Sequence, residues 1–574
     1  MKTLRIVIVC IAMFCSNIAT AQSFSWMNST GGTLDDLSGK VVRGTKNFYL
    51  YGNFEGDATI TNTQSGTPIQ LINHGFGTDI FLISVDSLGE VVWAKSFGSN
   101  GYDTIMGTIR FNYEDSTILL VGTHTEDFYY GTNPSDFIGL FNGAGQSVAF
   151  LKIKENGDIA KVKTTTEFGL GFQYLQDVQE RNNDFILSGS FSGNLIFPKK
   201  NGSGDTTIIG PPLGNTMQSC VISLDNNFKF NFFTATPQYI YKMEFDSVGN
   251  IYGIGSYDWS IGSGPSTTWY LNTSLIKLSP TGDLKFAKQI KTKSTSYAKY
   301  SYLNIISDNK ISFTTLSSDT TFFDNINLYT SPLCVWNTHP QFEFFSLRLD
   351  SLGNMTSIIP YEVGTGMVYG VDFNMNRLRE SYFTIPYTGT VSVNGNTYTS
   401  NGGTDVLLYA YDANANINWV QSFGSTGNDY CNSITFDNAN NPVLHGTFES
   451  TITISEGTQK SGNPISISSN GGKDVFYAKI NRTENITTML ADNTLYETDI
   501  RLFPNPAKDK LYIKATGKKS DYKFEFFDSC GKLLFKSMIT TASEINISEY
   551  EAGIYFYTIS DADKKNTGKV ILID

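Results

Sequence analysis

Histidine is almost missing from this chain, with four in 574 residues: His74, His124, His339 and His445. No H-E-x-x-H pair, phosphate-cradling G-x-x-x-x-G-K-[ST] loop or G-x-S-x-G nucleophile elbow is present, which removes the reaction classes most easily read from sequence. A Ser-His-Asp triad or a carboxylate pair assembled between distant segments leaves no such trace and stays open. Cysteine is also scarce. Two of the six, Cys10 and Cys15, sit near the N-terminus, and Cys220, Cys334, Cys431 and Cys530 are far apart with no C-x-x-C spacing. That pattern argues against a zinc site or a disulfide framework and for buried free thiols. Charged residues are only 17 % and carry an acidic excess, formally -12. No basic block offsets it, so phosphate-neutralising nucleic-acid binding and docking on anionic lipid are excluded. After the first fifteen residues no apolar run approaches the length of a membrane span.

The N-terminus has the build of a secretory signal peptide over residues 1–21. Lys2 and Arg5 form its charged region, Ile6 to Phe14 its short apolar region, and Ala19-Thr20-Ala21 the small-residue cleavage site between Ala21 and Gln22. Val9 and Phe14 precede the two cysteines where lipidation needs a small residue, so a lipoprotein is not expected. Removal of Lys2 and Arg5 would take the formal charge from -12 to -14.

What the chain has in quantity is aromatic residues (14 %), 52 glycines and β-branched or polar turn formers, which together point to strands and turns. They are organised as a long repeat. Its template is Asp79 to Gly122, closely copied by Asp405 to Gly446. One half of each copy is a strand, a turn with Gly or Asn, and a strand that ends in Trp93 or Trp419. The other half is two strands finishing at a Gly. The finishing strand recurs at Gly52, Gly122, Gly189, Gly255 and Gly446, and around Phe313 and Thr384 without the Gly. Gly52 to Gly446 spans 394 residues over six intervals, about 66 per copy, longer than the roughly 40–50 residues of common propeller repeats.

One copy is divided between the ends of the array. Asp474 to Asn481 supplies its leading strand, and Phe24 to Gly32 its Trp strand, with Trp26 matching Trp93 and Trp419. A linear solenoid has no reason for such a division, whereas a closed ring uses it to remove exposed edges. The expected fold is therefore all-β: a seven-bladed β-propeller over residues 22–482, its closing blade built from both ends. Turns such as Asp86-Ser87-Leu88-Gly89, Asp246 to Asn250 and Asp350 to Gly353 are read as hairpin connections rather than calcium loops, because EF-hand spacing is absent. The repeat resembles the bacterial β-propeller repeat of secreted proteins through its Asp or Gly-Asn turns, Phe436 to Phe448, and Trp419 to Ser425. That family is known by fold far more than by activity.

Residues 483–498 are polar and read as a linker. From 499 to 574 alternating apolar residues imply a small antiparallel sandwich. This stretch resembles the C-terminal sorting domain of the type IX secretion system. Phe503-Pro504-Asn505-Pro506 matches its opening motif, Asp528 to Lys532 with Gly531 its turn, Gly553-Ile554-Tyr555 its "PGIY" motif with Ala552 in place of Pro, and Lys569 its closing strand. The resemblance implies the secretion machinery as a partner, passage through the periplasm of a Gram-negative bacterium, and a destination outside the cell or on the outer-membrane surface.

No catalytic, cofactor-binding or metal-ligating residue is assigned, and no cofactor is expected. The reading favoured is a binding platform for glycan or protein rather than an enzyme. The alternatives are a secreted hydrolase or lyase acting on polysaccharide or peptide, and a structural surface component. Irregular loops on a rigid scaffold are the expected ligand sites. Four stand out: Pro198 to Asn215, Ser256 to Asn272 with Trp259, Trp269 and Tyr270, Thr330 to Phe342 with Trp336, and Gly457 to Gly472.

Overall fold

The structure is a computed structural model that describes residues between 23 and 482 and between 499 and 572. Within those bounds the larger omissions are 62–67, 131–136, 140–146, 165–171, 199–205, 210–217, 257–269, 294–300, 330–342, 362–371 and 455–464. The expected signal peptide with Ala21 and Gln22, the linker, Trp259, Trp269, Trp336, Pro504, Asn505, Pro506 and Gly531 lie outside the described residues. The chain divides into two compact units, Met1–Thr483 and Glu484–Asp574. Every element of the described residues is a strand or a turn, so the all-β expectation holds.

The larger unit carries seven antiparallel sheets with four principal strands each. Sheet one comprises Asp36–Arg43, Phe48–Glu55, Thr78–Val85 and Val91–Gly98. Sheet two is Thr104–Asn112, Thr117–His124, Ser147–Lys154 and Ile159–Thr164; sheet three is Phe172–Arg181, Asp184–Phe191, Gln218–Leu224 and Phe230–Thr236. Sheet four is Tyr239–Phe245, Ile251–Ser256, Tyr270–Leu278 and Leu284–Lys293; sheet five is Ser301–Ser307, Lys310–Ser317, Glu343–Asp350 and Met355–Tyr361. Sheet six is Asp372–Met375, Ser381–Tyr387, Asp405–Tyr411 and Ile417–Phe423. Sheet seven takes Tyr430–Phe436, Pro442–Phe448 and Asp474–Ile480 from the end of the array, and its outer strand Phe24–Thr30 from the start. Met27 pairs with Ala478 and Thr30 with Val475 across that junction.

The first strands of consecutive sheets contact one another from sheet one through sheet seven, and the first strand of sheet seven contacts that of sheet one. Outer strands lock onto the next sheet in order. The Trp26 indole donates to the Ser87 carbonyl at 3.1 Å, and Trp93 to Glu155 at 2.8 Å. Phe232 and Phe286 lie against the turn glycines Gly282 and Gly353 of the sheets that follow them. These rings therefore pack between sheets. The turns they cover behave as hairpins: Asp86 Oδ1 accepts the amides of Leu88 and Glu90, and Gly89 sits at φ 90°.

The repeat glycine has a steric role. Ser38, Ile105, Leu175, Ile240 and Cys431 pair with Gly52, Gly122, Gly189, Gly255 and Gly446, and directly past each pair the first strand bulges. A Cβ on Gly446 would stand 2.2 Å from the Tyr430 carbonyl oxygen, and one on Gly52 2.1 Å from that of Leu37. The glycine leaves room for the bulged strand to press inward.

The repeat exceeds common propeller lengths because of an added hairpin. Between second and third strands, sheets one, two, three, five, six and seven each carry two extra short strands, as in Leu195–Pro198 with Thr206–Ile209 and Thr451–Ile454 with Ile465–Ser468. This corrects the reading of irregular loops for the described parts of Pro198 to Asn215 and Gly457 to Gly472, where Thr206–Ile209 and Ile465–Ser468 are strands. Tyr270 is corrected too: it opens a strand, paired with Lys293, because the third strand of sheet four starts earlier than its apolar pattern suggests. All four sequence-marked loops fall at this one place in the repeat.

The smaller unit has a three-stranded sheet (Asp499–Phe503, Lys510–Thr516, Ala542–Asn546) and a four-stranded sheet (Leu533–Ile539, Tyr522–Phe527, Gly553–Ser560, Lys565–Leu572). Leu511 and Ile545 of the first share one apolar core with Phe524, Phe526, Ile559 and Val570 of the second. Among the motif residues, Phe503, Gly553 and Ile554 lie in strands, Lys532 closes the turn onto Asp528 Oδ1 at 2.9 Å, Tyr555 stacks on Phe526, and Lys569 pairs with Phe556.

Candidate functional site

The first strands of all seven sheets line one cavity of about 610 Å³, within the 300–1,000 Å³ usual for small-molecule sites. Strand alternation selects the residues that face it. Just past the repeat-glycine level stand Lys40, Asp177, Lys242, Tyr302, Asp372 and Ser433; two residues further along their strands stand Arg110, Glu244, Asn304 and Asn374. The bulges add Tyr241 and Asn432.

The three acids and three bases have unequal remaining capacity. Asp177 accepts the amides of Val178 at 2.9 Å and Met243 at 2.7 Å, and lies 3.6 Å from Arg110. Asp372 accepts the Ile434 amide at 2.9 Å and the Lys40 ammonium at 2.8 Å. Both carboxylates therefore tie their own sheet to the next first strand. Of the bases, Lys40 is held by Asp372 and also donates to the Asn432 carbonyl at 2.9 Å, while Lys242 and Arg110 are less fully engaged. Lys242 is 3.9 Å from Glu244, too long for a good hydrogen bond, and its ammonium lies 5.8 Å from the Tyr302 ring centre. Burial, with Arg110 and Lys40 nearby, holds the Lys242 ammonium below its ordinary pKa, while Glu244 and Asp372 pull the other way. Burial also acts against the Arg110 charge, but Asp177, Glu244 and Tyr51 outweigh it and raise the pKa. Arg110 Nε and Asn304 Nδ2, both turned away from bulk water, have no hydrogen-bond partner. The cavity thus offers two unmatched donors among three cationic and three acidic side chains, suited to an acceptor-rich group.

No histidine lines it among the described residues. His445 is buried in a strand, His124 in another, and His74 bonds Asp79 through Nδ1 at 2.6 Å. Cys220 and Cys431 are buried free thiols. Burial pushes the Cys431 thiol up to about 12, which makes it a poor nucleophile at neutral pH. Among the described residues no group of three or more His, Cys, Asp or Glu side chains is arranged to hold a metal.

None of the cavity residues was singled out by sequence reasoning. A signal was present: Lys40, Arg110 and Asp177 each stand 12 residues before a repeat glycine, and Lys242 stands 13 before its own. Charged residues in strands that otherwise pack inward, at fixed distance from a structural glycine, mark positions facing a shared space.

Residues 501–573 match the secretion system C-terminal sorting domain family. That match supports type IX sorting and a secreted or surface destination, and implies contact with the secretion machinery. Among the described residues no helix is long and apolar enough to cross a membrane. No curated protein matches the chain. Solved structures similar to it include the extracellular domain of a putative hybrid two-component system from B. thetaiotaomicron (9 % identity, 96 % of this chain and 100 % of that one, TM-score 0.18). Others are an ACO/RPE65 chimera (11 %, 64 % and 80 %, TM-score 0.28) and a DUF4221 family member from Bacteroides vulgatus (10 %, 80 % and 96 %, TM-score 0.25). At these TM-scores the likenesses assign neither fold nor function.

Proposed function

We propose that residues 22–482 form a seven-bladed β-propeller that acts outside the cell as a recognition module, with the cavity between its blades as the ligand site. The cyclic contact of the first strands and the blade shared by both ends support the architecture. The observation that carries the function is the pair of unmatched donors, Arg110 Nε and Asn304 Nδ2, in a space that Lys40 and Lys242 also face. Their chemistry fits the acidic or hydroxyl-rich end of a glycan. Asp177 and Asp372 are used in holding first strands together, which leaves Glu244 without a second free carboxylate and favours binding over hydrolysis by a carboxylate pair.

The test is a titration of the mature chain with acidic and neutral oligosaccharides and with acidic peptides. A glycan ligand should lose at least about tenfold in affinity in Arg110→Met, since a charge-assisted hydrogen bond contributes roughly 1.5–3 kcal/mol. Absence of any glycan ligand, or binding indifferent to both Arg110→Met and Asn304→Leu, would overturn the assignment; peptide binding alone would replace glycan with protein. Export is tested separately. Deleting 499–574 should leave the larger unit folded in the periplasm, and normal secretion of that truncation would contradict the role of the tail.

A further inference from the structure

Two pairs of neighbouring first strands are joined by a side-chain clasp. Asp177 and Gln179 flank Val178 on the first strand of sheet three, and both reach Met243 on that of sheet four. The Met243 amide donates to Asp177 Oδ2 at 2.7 Å, and Gln179 Nε2 donates to the Met243 carbonyl at 2.8 Å. Sheet six repeats the device onto sheet seven. The Ile434 amide donates to Asp372 Oδ2 at 2.9 Å, and Asn374 Nδ2 donates to the Ile434 carbonyl at 2.8 Å. An acceptor and a donor two residues apart thus engage both main-chain groups of one residue, as a paired strand would.

Sheet four fills the same two positions the opposite way. Lys242 and Glu244 flank Met243 as Asp177 and Gln179 flank Val178. An ammonium cannot accept the amide of the next first strand, and an ionised carboxylate cannot donate to its carbonyl. The pair therefore cannot clasp sheet five, and both side chains are left in the cavity wall, 3.9 Å apart. Lysines buried elsewhere are held more closely: Lys152 reaches Asp115 and Glu180 at 2.6 Å each, and Lys479 reaches Asp437 at 2.8 Å. Sheet five has Tyr302 and Asn304 at these positions. The Tyr302 ring packs against Phe373 of sheet six, centroids 5.4 Å apart. Asn304 Nδ2 stands where Asn374 Nδ2 stands in sheet six, but has no hydrogen-bond partner.

We infer that these unclasped positions are the recognition residues, and that they bind an uncharged sugar through adjacent hydroxyls: Lys242 donates to one hydroxyl oxygen, the next hydroxyl donates to Glu244, and Asn304 donates to a third oxygen. The inference rests on the cavity being the ligand site, and narrows its ligand to a neutral, hydroxyl-rich unit. The gap between Lys242 and Glu244 is too long for a good hydrogen bond between them, yet two neighbouring hydroxyls can engage both. Each hydroxyl is donor and acceptor at once, so a fixed donor beside a fixed acceptor selects such a pair. Glu244 repels a carboxylate at the same place, which disfavours an acidic sugar. The Tyr302 ring, 5.8 Å from the Lys242 ammonium, gives apolar surface beside them for the C–H face of a sugar ring. The clasps leave Asp177, Gln179, Asp372 and Asn374 to hold strands, and sheets four and five to read the ligand.

The experiment titrates the full mature chain calorimetrically with cello-, manno- and xylo-oligosaccharides, and with oligogalacturonates as the acidic comparison. A neutral oligosaccharide should bind, and its affinity should fall at least about tenfold in Lys242→Met and in Glu244→Met, the loss expected for one hydrogen bond to a charged group. Gln179→Met breaks a clasp instead, and should lower Tm while leaving that affinity unchanged. Lys242→Gln and Glu244→Gln, closer in shape and polarity, repeat the measurement if a methionine variant does not fold. A neutral sugar whose binding responds to Arg110→Met but to neither Lys242→Met nor Glu244→Met keeps the cavity as the site and overturns this inference. Binding of oligogalacturonates alone overturns it too, by placing a carboxylate where Glu244 should repel one. Absence of any oligosaccharide ligand overturns this inference and the glycan reading together.

Discussion

Sheets five and seven are built from the same four-strand plan and differ in nearly every detail around it. Sheet five is contiguous in sequence. It has Thr315 where five other sheets have glycine, and its first two strands pair without a shift at that level, Ser301 with Thr315 and Tyr302 with Thr314. Sheet seven borrows its outer strand from residue 24 onward, carries Gly446, and bulges at Asn432. The contrast teaches that glycine and bulge are one device. Where the second strand has a Cβ, the first strand stays regular; where it has none, the first strand gains a residue and re-aims its side chains. Tyr302 and Asn304 still reach the cavity from sheet five, by plain alternation. The bulge is therefore not needed to face the cavity, but it adds a side chain there, as Tyr241 and Asn432 show.

The sharpest way to break the comparison is to remove what sheet seven borrows. Deleting 24–30 strips the strand Asp474–Ile480 of one partner along its whole length, and removes Phe24 and Met27 from a core that also holds Trp419, Phe423 and Phe476. Two fully buried large side chains alone contribute roughly 3–6 kcal/mol, and an edge strand rich in apolar residues is newly exposed. The truncated chain should lose its cooperative thermal transition or aggregate. An unchanged Tm would show that this strand is dispensable.

Next in size is the glycine itself. Gly446→Ala sets a methyl group 2.2 Å from the Tyr430 carbonyl and 2.3 Å from the Phe476 ring. The bulged strand cannot retreat without disturbing the contact with sheet one, so a loss of about 3 kcal/mol is expected. Thr315→Ala in sheet five, a site that already accepts a Cβ, should cost under about 1 kcal/mol. Chemical denaturation of the two variants measures the difference, and equal losses would separate glycine from bulge.

How much of this was legible follows from range. The repeat, the turn chemistry and the strand shared between both ends were readable because each is carried by neighbours in sequence or by a recurring Trp. The added hairpins were not. Thr451–Ile454 and Ile465–Ser468 are four-residue strands with exposed alternate positions, separated by Gly-, Ser- and Asn-rich sequence, and nothing local distinguishes them from a polar loop. Their support comes from apolar positions such as Ile452 and Ile467 packing on the core of the parent sheet. The cavity was hidden for a related reason. Each sheet contributes a few polar residues, unremarkable in any single copy, and they become a site only where seven first strands meet.

A third contrast lies in pH response. His445 stands beside Gly446 in sheet seven, paired with Ser433 and Tyr477, with the Phe81 ring against it and Lys40 nearby. Burial pushes its pKa down to about 3, although main-chain groups at Gly39 and Lys40 pull the other way. In the unfolded chain the same imidazole takes a proton near pH 6.5. Between those values the unfolded state binds a proton that the folded state refuses, so the stability tied to His445 is complete above pH 6.5 and falls as the pH drops. The slope is about 1.4 kcal/mol per pH unit. His445→Leu removes this term, and its stability relative to wild type should improve by that slope between pH 6 and pH 4. Denaturation curves at both pH values check it; a constant difference would show that His445 is protonated in the fold.

The smallest effect tests the contact that sheet seven makes with its neighbour. Trp26 lies over the turn at Gly89 and donates its indole N–H to Ser87. Sheet five is held by its predecessor differently: Phe286 covers Gly353 with a ring that has no donor. Trp26→Phe therefore converts one kind of contact into the other. It keeps an aromatic face on the turn and gives up one hydrogen bond, partly replaced by water at this half-buried site, so a loss of about 1 kcal/mol is expected. If the loss instead reaches that of Gly446→Ala, the indole supports the junction of the two chain ends through its packing on Tyr477, and the resemblance between these two inter-sheet contacts is only one of position.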